Sequence, residues 1–286
     1  MDFAMSNDNQ ILPKEPILDL GPVKFSQNIK LAVLDILEGF VKWRLNCKLG
    51  WTDIKLRYRG SILGPFWITI IMGSKIATIG FLYAYLLHIN IHEYLPYVSL
   101  SVVLWTFIST LTIDSCTIFT NSEKLILSTR LPYSVYAWRS IISNFLILIH
   151  NLLVIVIVFC ILKVVPYTLY LLIPSGILWT LDSLAICLLI GILGTRFKDV
   201  PPIITSIMQA LFFITPIIWK INFIHFNKNY MLLDPLYPLF EIVRAPILGE
   251  YVSSSIWFAA IVYSLILWVT AIFIFSKTRF RIPYWI

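Results

Sequence analysis

Three charged residues, Lys75, Asp114 and Asp182, fall inside long apolar runs of this 286-residue sequence. A charge in such a run is costly and by default marks a pairing or a transport path. Lys75 lies thirteen positions after its run begins at Ile62, and Asp182 lies thirteen before its own ends at Thr195. Equal depth makes them a candidate intramembrane pair, either a structural tie between two helices or one step of an ion relay. Asp114 is nearer the end of its run, within reach of headgroup water. His150 beside Asn151 suits an interhelical hydrogen bond. His88 and His92 share a short connection with Glu93, which reads as an ordinary loop rather than a metal site. Aromatic residues make up 15% of the chain. Those on the first and fifth runs (Phe66, Trp67, Phe81, Tyr85, then Phe212, Phe213 and Trp219) have two readings. One is core packing with interfacial belts; the other is a lining on which the C–H faces of sugars stack and slide.

Other chemistries are missing. No Gly-Lys dipeptide occurs, so there is no phosphate-cradling loop of the Walker type, and no Gly-x-Ser-x-Gly, His-Glu-x-x-His or Asp-x-Asp appears. Cys116, Cys160 and Cys187 lie in apolar runs and Cys47 stands alone, a spacing that suggests neither disulfides nor zinc.

The elements that must position these residues are set by composition. Hydrophobic residues form 59% of the chain, charged residues 13%, and the mean hydropathy is +0.84, whereas a soluble domain carries about 25% charged residues. The missing polar surface must face lipid. Runs of about 20 apolar residues, enough to cross a hydrocarbon core of about 30 Å, occur at Ile62–Leu87, Leu95–Thr120, Ile141–Leu162, Tyr167–Thr195, Val200–Trp219 and Ser253–Ser276. The expected fold is therefore an all-α integral membrane protein with six spans. Of the 22 Lys and Arg, 17 fall on one side, including Arg57, Arg59, Lys124, Arg130, Arg139, Arg196 and Arg279. The positive-inside rule makes that side, and both termini, cytoplasmic. The net charge of +7 is thereby a matter of topology, and a nucleic-acid role falls away.

Phe25–Leu49 carries Ile29, Val33, Leu37, Phe40 and Val41 at helical spacing between charged residues, an amphipathic helix along the membrane surface. It serves as an anchor or as a docking element. Between the fifth and sixth runs, 220–252 is an apolar loop cut by Pro235, Pro238 and Pro246, with a short helix from Pro238 to Ala245 stopped by the next proline. The expected organisation is a cytoplasmic tail at 1–25, an interface segment at 26–61, a six-span domain at 62–276 that includes 220–252, and a cytoplasmic tail at 277–286.

Several blocks resemble the permease subunit of ABC transporters that export O-antigen, capsule or teichoic acid. They are Leu56–Trp67 (LRYRGSILGPFW), His150-Asn151, Arg196–Val200 (RFKDV), Phe212–Trp219 (FFITPIIW), Asp234–Pro238 (DPLYP) and Glu241–Gly249 (EIVRAPILG). The resemblance runs from about Ser26 to the C-terminus. It implies a homodimer with two separate ABC ATPase subunits that carry the ATP and Mg, no cofactor on this chain, and a location in the bacterial inner membrane. It further implies a channel bordered by the first and fifth spans, and short re-entrant helices of the last outward loop as a periplasmic gate, with Tyr237, Pro238, Glu241 and Arg244 as its candidates. Glu123, Lys124 and Arg130 become candidates for ATPase coupling. Arg57 and Arg59, with Tyr58 between them, read either as anchors reaching lipid phosphates or as the entry site for the pyrophosphate of a lipid-linked glycan. The expected function is ATP-driven export of lipid-linked cell-surface polysaccharide from cytoplasm to periplasm. An ion-coupled lipid or glycan flippase using Lys75, Asp114 and Asp182 is the alternative. A membrane glycosyltransferase is a third reading, weakened by Glu93 standing alone in a short outward loop.

Overall fold

The computed structural model describes residues 25–64, 66–86, 88–166, 168–220 and 228–286, so the predicted tail before Phe25 and part of the last loop lie outside the described residues. The described chain is helical, without strands. Five helices are long and apolar enough to cross a membrane: α3 (Phe66–Leu86), α4 (Ile91–Ser115), α6 (Tyr133–Leu162), α7 (Leu172–Arg196, entered through a turn from Leu169) and α10 (Ser254–Thr278). Shorter pieces are α1 (Phe25–Val41), α2 (Trp43–Arg57), α5 (Glu123–Ser128), α8 (Val200–Ile214), α9 (Leu236–Leu248) and α11 (Ile282–Trp285).

At the centre stands α4, packed against α3, α6, α7, α8 and α9. Nearly every residue from Val98 to Ile108 is buried. Its hydroxyls are satisfied inside this apolar setting by donating to carbonyls one turn back, as Ser101 does to Tyr97 and Thr112 to Ile108, both at 2.7 Å.

The predicted fifth span is shorter than its apolar run. Pro201 and Pro202 open α8, where their lack of N–H costs nothing. The helix stops at Ile214 because Thr215 precedes Pro216 and adopts the extended backbone that such a residue prefers (φ −68°, ψ 138°). Residues 215–219 then run as an irregular, mostly buried segment.

Three further expectations change. The helix predicted over Phe25–Leu49 breaks at Lys42, and α2 continues to Arg57. The short helix of the last loop runs through Pro246 to Leu248 and is ended by Gly249 in the left-handed region (φ 78°). The predicted C-terminal tail folds back as α11, which packs on α7 and buries Ile282.

Candidate functional site

One end of the bundle holds a network of charges. The Asp35 carboxylate on α1 accepts from the backbone N–H groups of Tyr133 and Ser134 at 3.2 and 3.0 Å, capping α6 from another helix because Pro132 supplies no side-chain cap. Arg279, just past α10, pairs with Asp35 at 3.4 Å. Gly39 lets α1 approach this closely, since a Cβ there would lie 2.1 Å from Ser134 Oγ. Arg139 on α6 grips Asp53 on α2 through both Nε and Nη2, the first bond at 2.6 Å.

Arg57 ends α2 and reaches Asp114 at 3.5 Å; Asp114 also accepts from Asn144 at 3.2 Å. These groups line a polar cavity of about 390 Å³. Arg57 is thus partnered and Arg59 is exposed, on a turn that Gly60 and Gly64 make with φ of 85° and 54°. Half-burial pushes the Tyr58 phenol up, and the Arg57 charge opposes this. Glu123, Lys124 and Arg130 are all exposed on and beside α5, with Leu127 exposed among them.

Both α3 and α8 leave aromatic residues uncovered on the flank of the bundle, Phe66 alone lying against His150 of α6. Phe66, Trp67, Phe81 and Phe213 are exposed, and Tyr85 is 83% exposed. Phe212 is half-buried, its ring 5.7 Å from Trp105 and 5.4 Å from Phe213. The Trp219 indole N–H donates to the Phe213 carbonyl at 3.1 Å. A second cavity of about 380 Å³ opens on this flank, lined by Lys75, Trp105, Ser109, Thr205, Gln209, Phe212 and neighbours.

The expected Lys75–Asp182 pair does not form. Depth along two spans does not fix which way each side chain faces: Asp182 accepts from Ser264 on α10 at 2.6 Å, while the Lys75 ammonium lies 5.5 Å from the Phe212 ring. His150 likewise bonds within its own helix, Nδ1 lying 2.7 Å from the Leu146 carbonyl, and the interhelical bond runs from Thr69 to the His150 carbonyl at 3.2 Å.

At the far end, α9 is held by a buried cation. Arg244 is 3% exposed; its Nη1 donates to Ser101 Oγ at 2.9 Å and to the Pro216 carbonyl at 2.8 Å, and its Nη2 pairs with Glu241. The guanidinium lies 4.2 Å from the Tyr97 ring. Tyr97 donates to the carbonyls of Pro216 and Trp219 at 2.8 and 2.9 Å, and Tyr94 to that of Ile218 at 2.6 Å. The carbonyls freed where α8 stops are therefore taken up by Arg244, Tyr94 and Tyr97, the partners that buried irregular backbone needs. Tyr237 and Pro238 are buried alongside.

Four predicted residues thus share one neighbourhood in α9, and Glu241 and Arg244 make a direct pair. Sequence reasoning missed Tyr94, Tyr97 and Ser101, the groups that complete this cluster. The one-turn spacing of Tyr94 and Tyr97 at the start of an apolar run was the available signal.

Sequence comparison agrees with this architecture. The chain is 20% identical over 194 residues to the O-antigen export system permease protein RfbA of Myxococcus xanthus, covering 68% of this chain and 75% of that protein. The sequence model of the ABC-2 type transporter family matches residues 45–248, which contain α3 to α9, the aromatic flank and the Arg244 cluster. The chain belongs to the ABC-2 type transporter family.

Proposed function

We propose that this chain is the channel-forming subunit of an ATP-driven exporter that moves lipid-linked, O-antigen-like polysaccharide from cytoplasm to periplasm across a bacterial inner membrane. Two copies face each other across α3 and α8, and each works with a separate ABC ATPase that binds ATP and Mg. The observation that carries this reading is the flank of α3 and α8. Phe213 lines a cavity with Trp105, Phe212, Lys75 and Gln209, and α3 leaves Trp67, Phe81 and Tyr85 exposed beyond it. Lipid would accept the rings but not the ammonium, whose burial at a helix centre costs about 2.5–3.5 kcal/mol. An aqueous path shared with a second copy accepts both, and aromatic faces suit sugar rings in transit. The apolar residues that α1 turns outward, Leu37, Phe40 and Val41, then rest in the lipid interface. The exposed α5 with Glu123, Lys124 and Arg130 receives the ATPase. The segment 215–219 with α9 forms the periplasmic gate and completes the sixth crossing that α8 begins. Arg59, exposed at the mouth, meets the glycan's lipid pyrophosphate beside Arg57 and Tyr58.

The flippase alternative loses its relay, because Asp114 is engaged by Arg57 and Asp182 by Ser264. Affinity purification from native membranes tests the proposal. An ATPase recovered in equal amount, together with loss of surface polysaccharide in Trp67→Ala/Phe213→Ala at unchanged ATPase recovery, is the expected result. A permease that exports polymer with no ATPase attached overturns it.

A further inference from the structure

The cavity on the α3 and α8 flank is built around a cation that the fold leaves without a counter-charge. Lys75 is the tenth residue of the 21-residue α3. At 1.5 Å per residue it stands about 14 Å from the helix start, close to the middle of a hydrocarbon core about 30 Å thick. Among the described residues it has no ion pair, and its one ring contact is with Phe212. The carboxylates of the spans are spent elsewhere, Asp114 on Arg57 and Asn144, Asp182 on Ser264. Beside Lys75 the cavity presents Gln209 and Ser109, neither of which is engaged by another described protein group, and Thr205. An ammonium, an amide and a hydroxyl set among Trp105 and Phe212 are the groups that would hold a sugar bearing an acid. The ammonium takes the anion, the neutral donors take hydroxyls, and the rings take the C–H face.

We infer that Lys75 is a specificity-determining residue for an acidic glycan, whose repeat unit carries a carboxylate or a phosphate that meets this ammonium midway through the membrane. The inference rests on the proposed export function and names its substrate class. The diphosphate of a lipid carrier is the other source of an anion. It travels with the headgroup layer, where Arg57 and Arg59 stand, and not at the depth of Lys75.

The test uses the native host with the chromosomal copy deleted and then replaced by wild type, Lys75→Met or Lys75→Arg. The surface polymer that disappears on deletion is purified and its uronic acid and phosphate content per repeat is measured. Taking a charge-assisted bond out of the path is expected to lower surface polymer about tenfold in Lys75→Met, whereas Lys75→Arg retains most of it, and both variants keep their ATPase on purification. A neutral polymer overturns the inference while leaving export intact, and an effect of Lys75→Met on a neutral polymer assigns the anion to the carrier instead. Normal export by Lys75→Met, or equal loss in both variants with the ATPase retained, also overturns it. If deletion removes no polymer, the export function itself fails and the inference falls with it.

Discussion

Replacing Arg244 by Met keeps most of the side-chain volume and removes every polar contact that fixes α9 to the end of α8. Three donated bonds go, to Ser101, the Pro216 carbonyl and Glu241, together with the ring contact to Tyr97. Removing one partner of a buried ion pair costs about 3–5 kcal/mol, chiefly because the other charge is left unpaired. Glu241 is 14% exposed and regains some hydration, and the Pro216 carbonyl keeps its bond from Tyr97, so the expected loss is near the lower limit, about 3 kcal/mol. Adding Glu241→Gln removes the stranded carboxylate and recovers about 1–2 kcal/mol of this. Denaturant unfolding in micelles reads the energies, and hydrogen exchange of the amides of Ile217 to Trp219 reads the local consequence, with faster exchange expected in Arg244→Met. An Arg244→Met protein within about 0.5 kcal/mol of wild type, with unchanged exchange in that segment, would show that the buried cation does not hold the break in α8 together.

Gly39→Ala places a methyl 2.1 Å from Ser134 Oγ, against a position tied by three contacts to Asp35; overpacking of this kind costs about 1–3 kcal/mol and shows as a lowered melting temperature of the purified protein. A double-mutant cycle on Asp53 and Arg139, using Asn and Gln, gives a coupling of about 1–3 kcal/mol, because the pair is two-pronged and three-quarters buried; a coupling near zero would mean that α2 is held to α6 by apolar contact alone. Water-soluble maleimide labels Cys47, which is exposed outside the spans, and a lipid-soluble maleimide adds Cys160 on the outer face of α6. Cys116 stays unmodified by both until the protein unfolds, since burial excludes reagent.

The apolar runs located the helices because the penalty for exposing a backbone to lipid leaves a helix as the available form for a long apolar stretch. Their ends were less visible. A hydropathy scan finds what can sit in hydrocarbon, so it began α6 at Ile141 and missed its first two turns, Tyr133–Ser140, which are helical but contact α1 and α2. The stop of α8 was legible in principle, since Thr215 precedes Pro216, and reading the run as apolar to Trp219 overlooked it. The break at Lys42 carries no such signal, for neither proline nor glycine stands there. Pairings over long separations were not legible at all: Arg244 and Ser101 are 143 positions apart, and nothing in either segment names the other. Depth within a span, which suggested Lys75 with Asp182, is one coordinate of two; the direction each side chain takes around its helix axis is the other, and it depends on neighbours known only once α10 is packed against α7.

The shortness of α8 gives the aromatic flank and the Arg244 cluster a common logic. A helix of 15 residues rises about 22 Å, less than the hydrocarbon thickness of about 30 Å, so in the sixth crossing proposed above the remaining depth falls to backbone whose last helical bond is the one from Thr215 to Leu211. That backbone, 215–219, is continuous on one side with Phe212 and Phe213 on the open flank, and on the other with the carbonyls held by Tyr94, Tyr97 and Arg244. A longer straight helix would satisfy its own carbonyls, take one acceptor from Arg244 and leave both tyrosine hydroxyls unpartnered in the core, at about 1–3 kcal/mol for each stranded group. The break in α8 and the buried cation in α9 therefore stabilise each other, and a displacement of the aromatic flank reaches α9 through five residues three of whose carbonyls, those of Pro216, Ile218 and Trp219, are held by side chains, which exchange partners at lower cost than a helix unwinds.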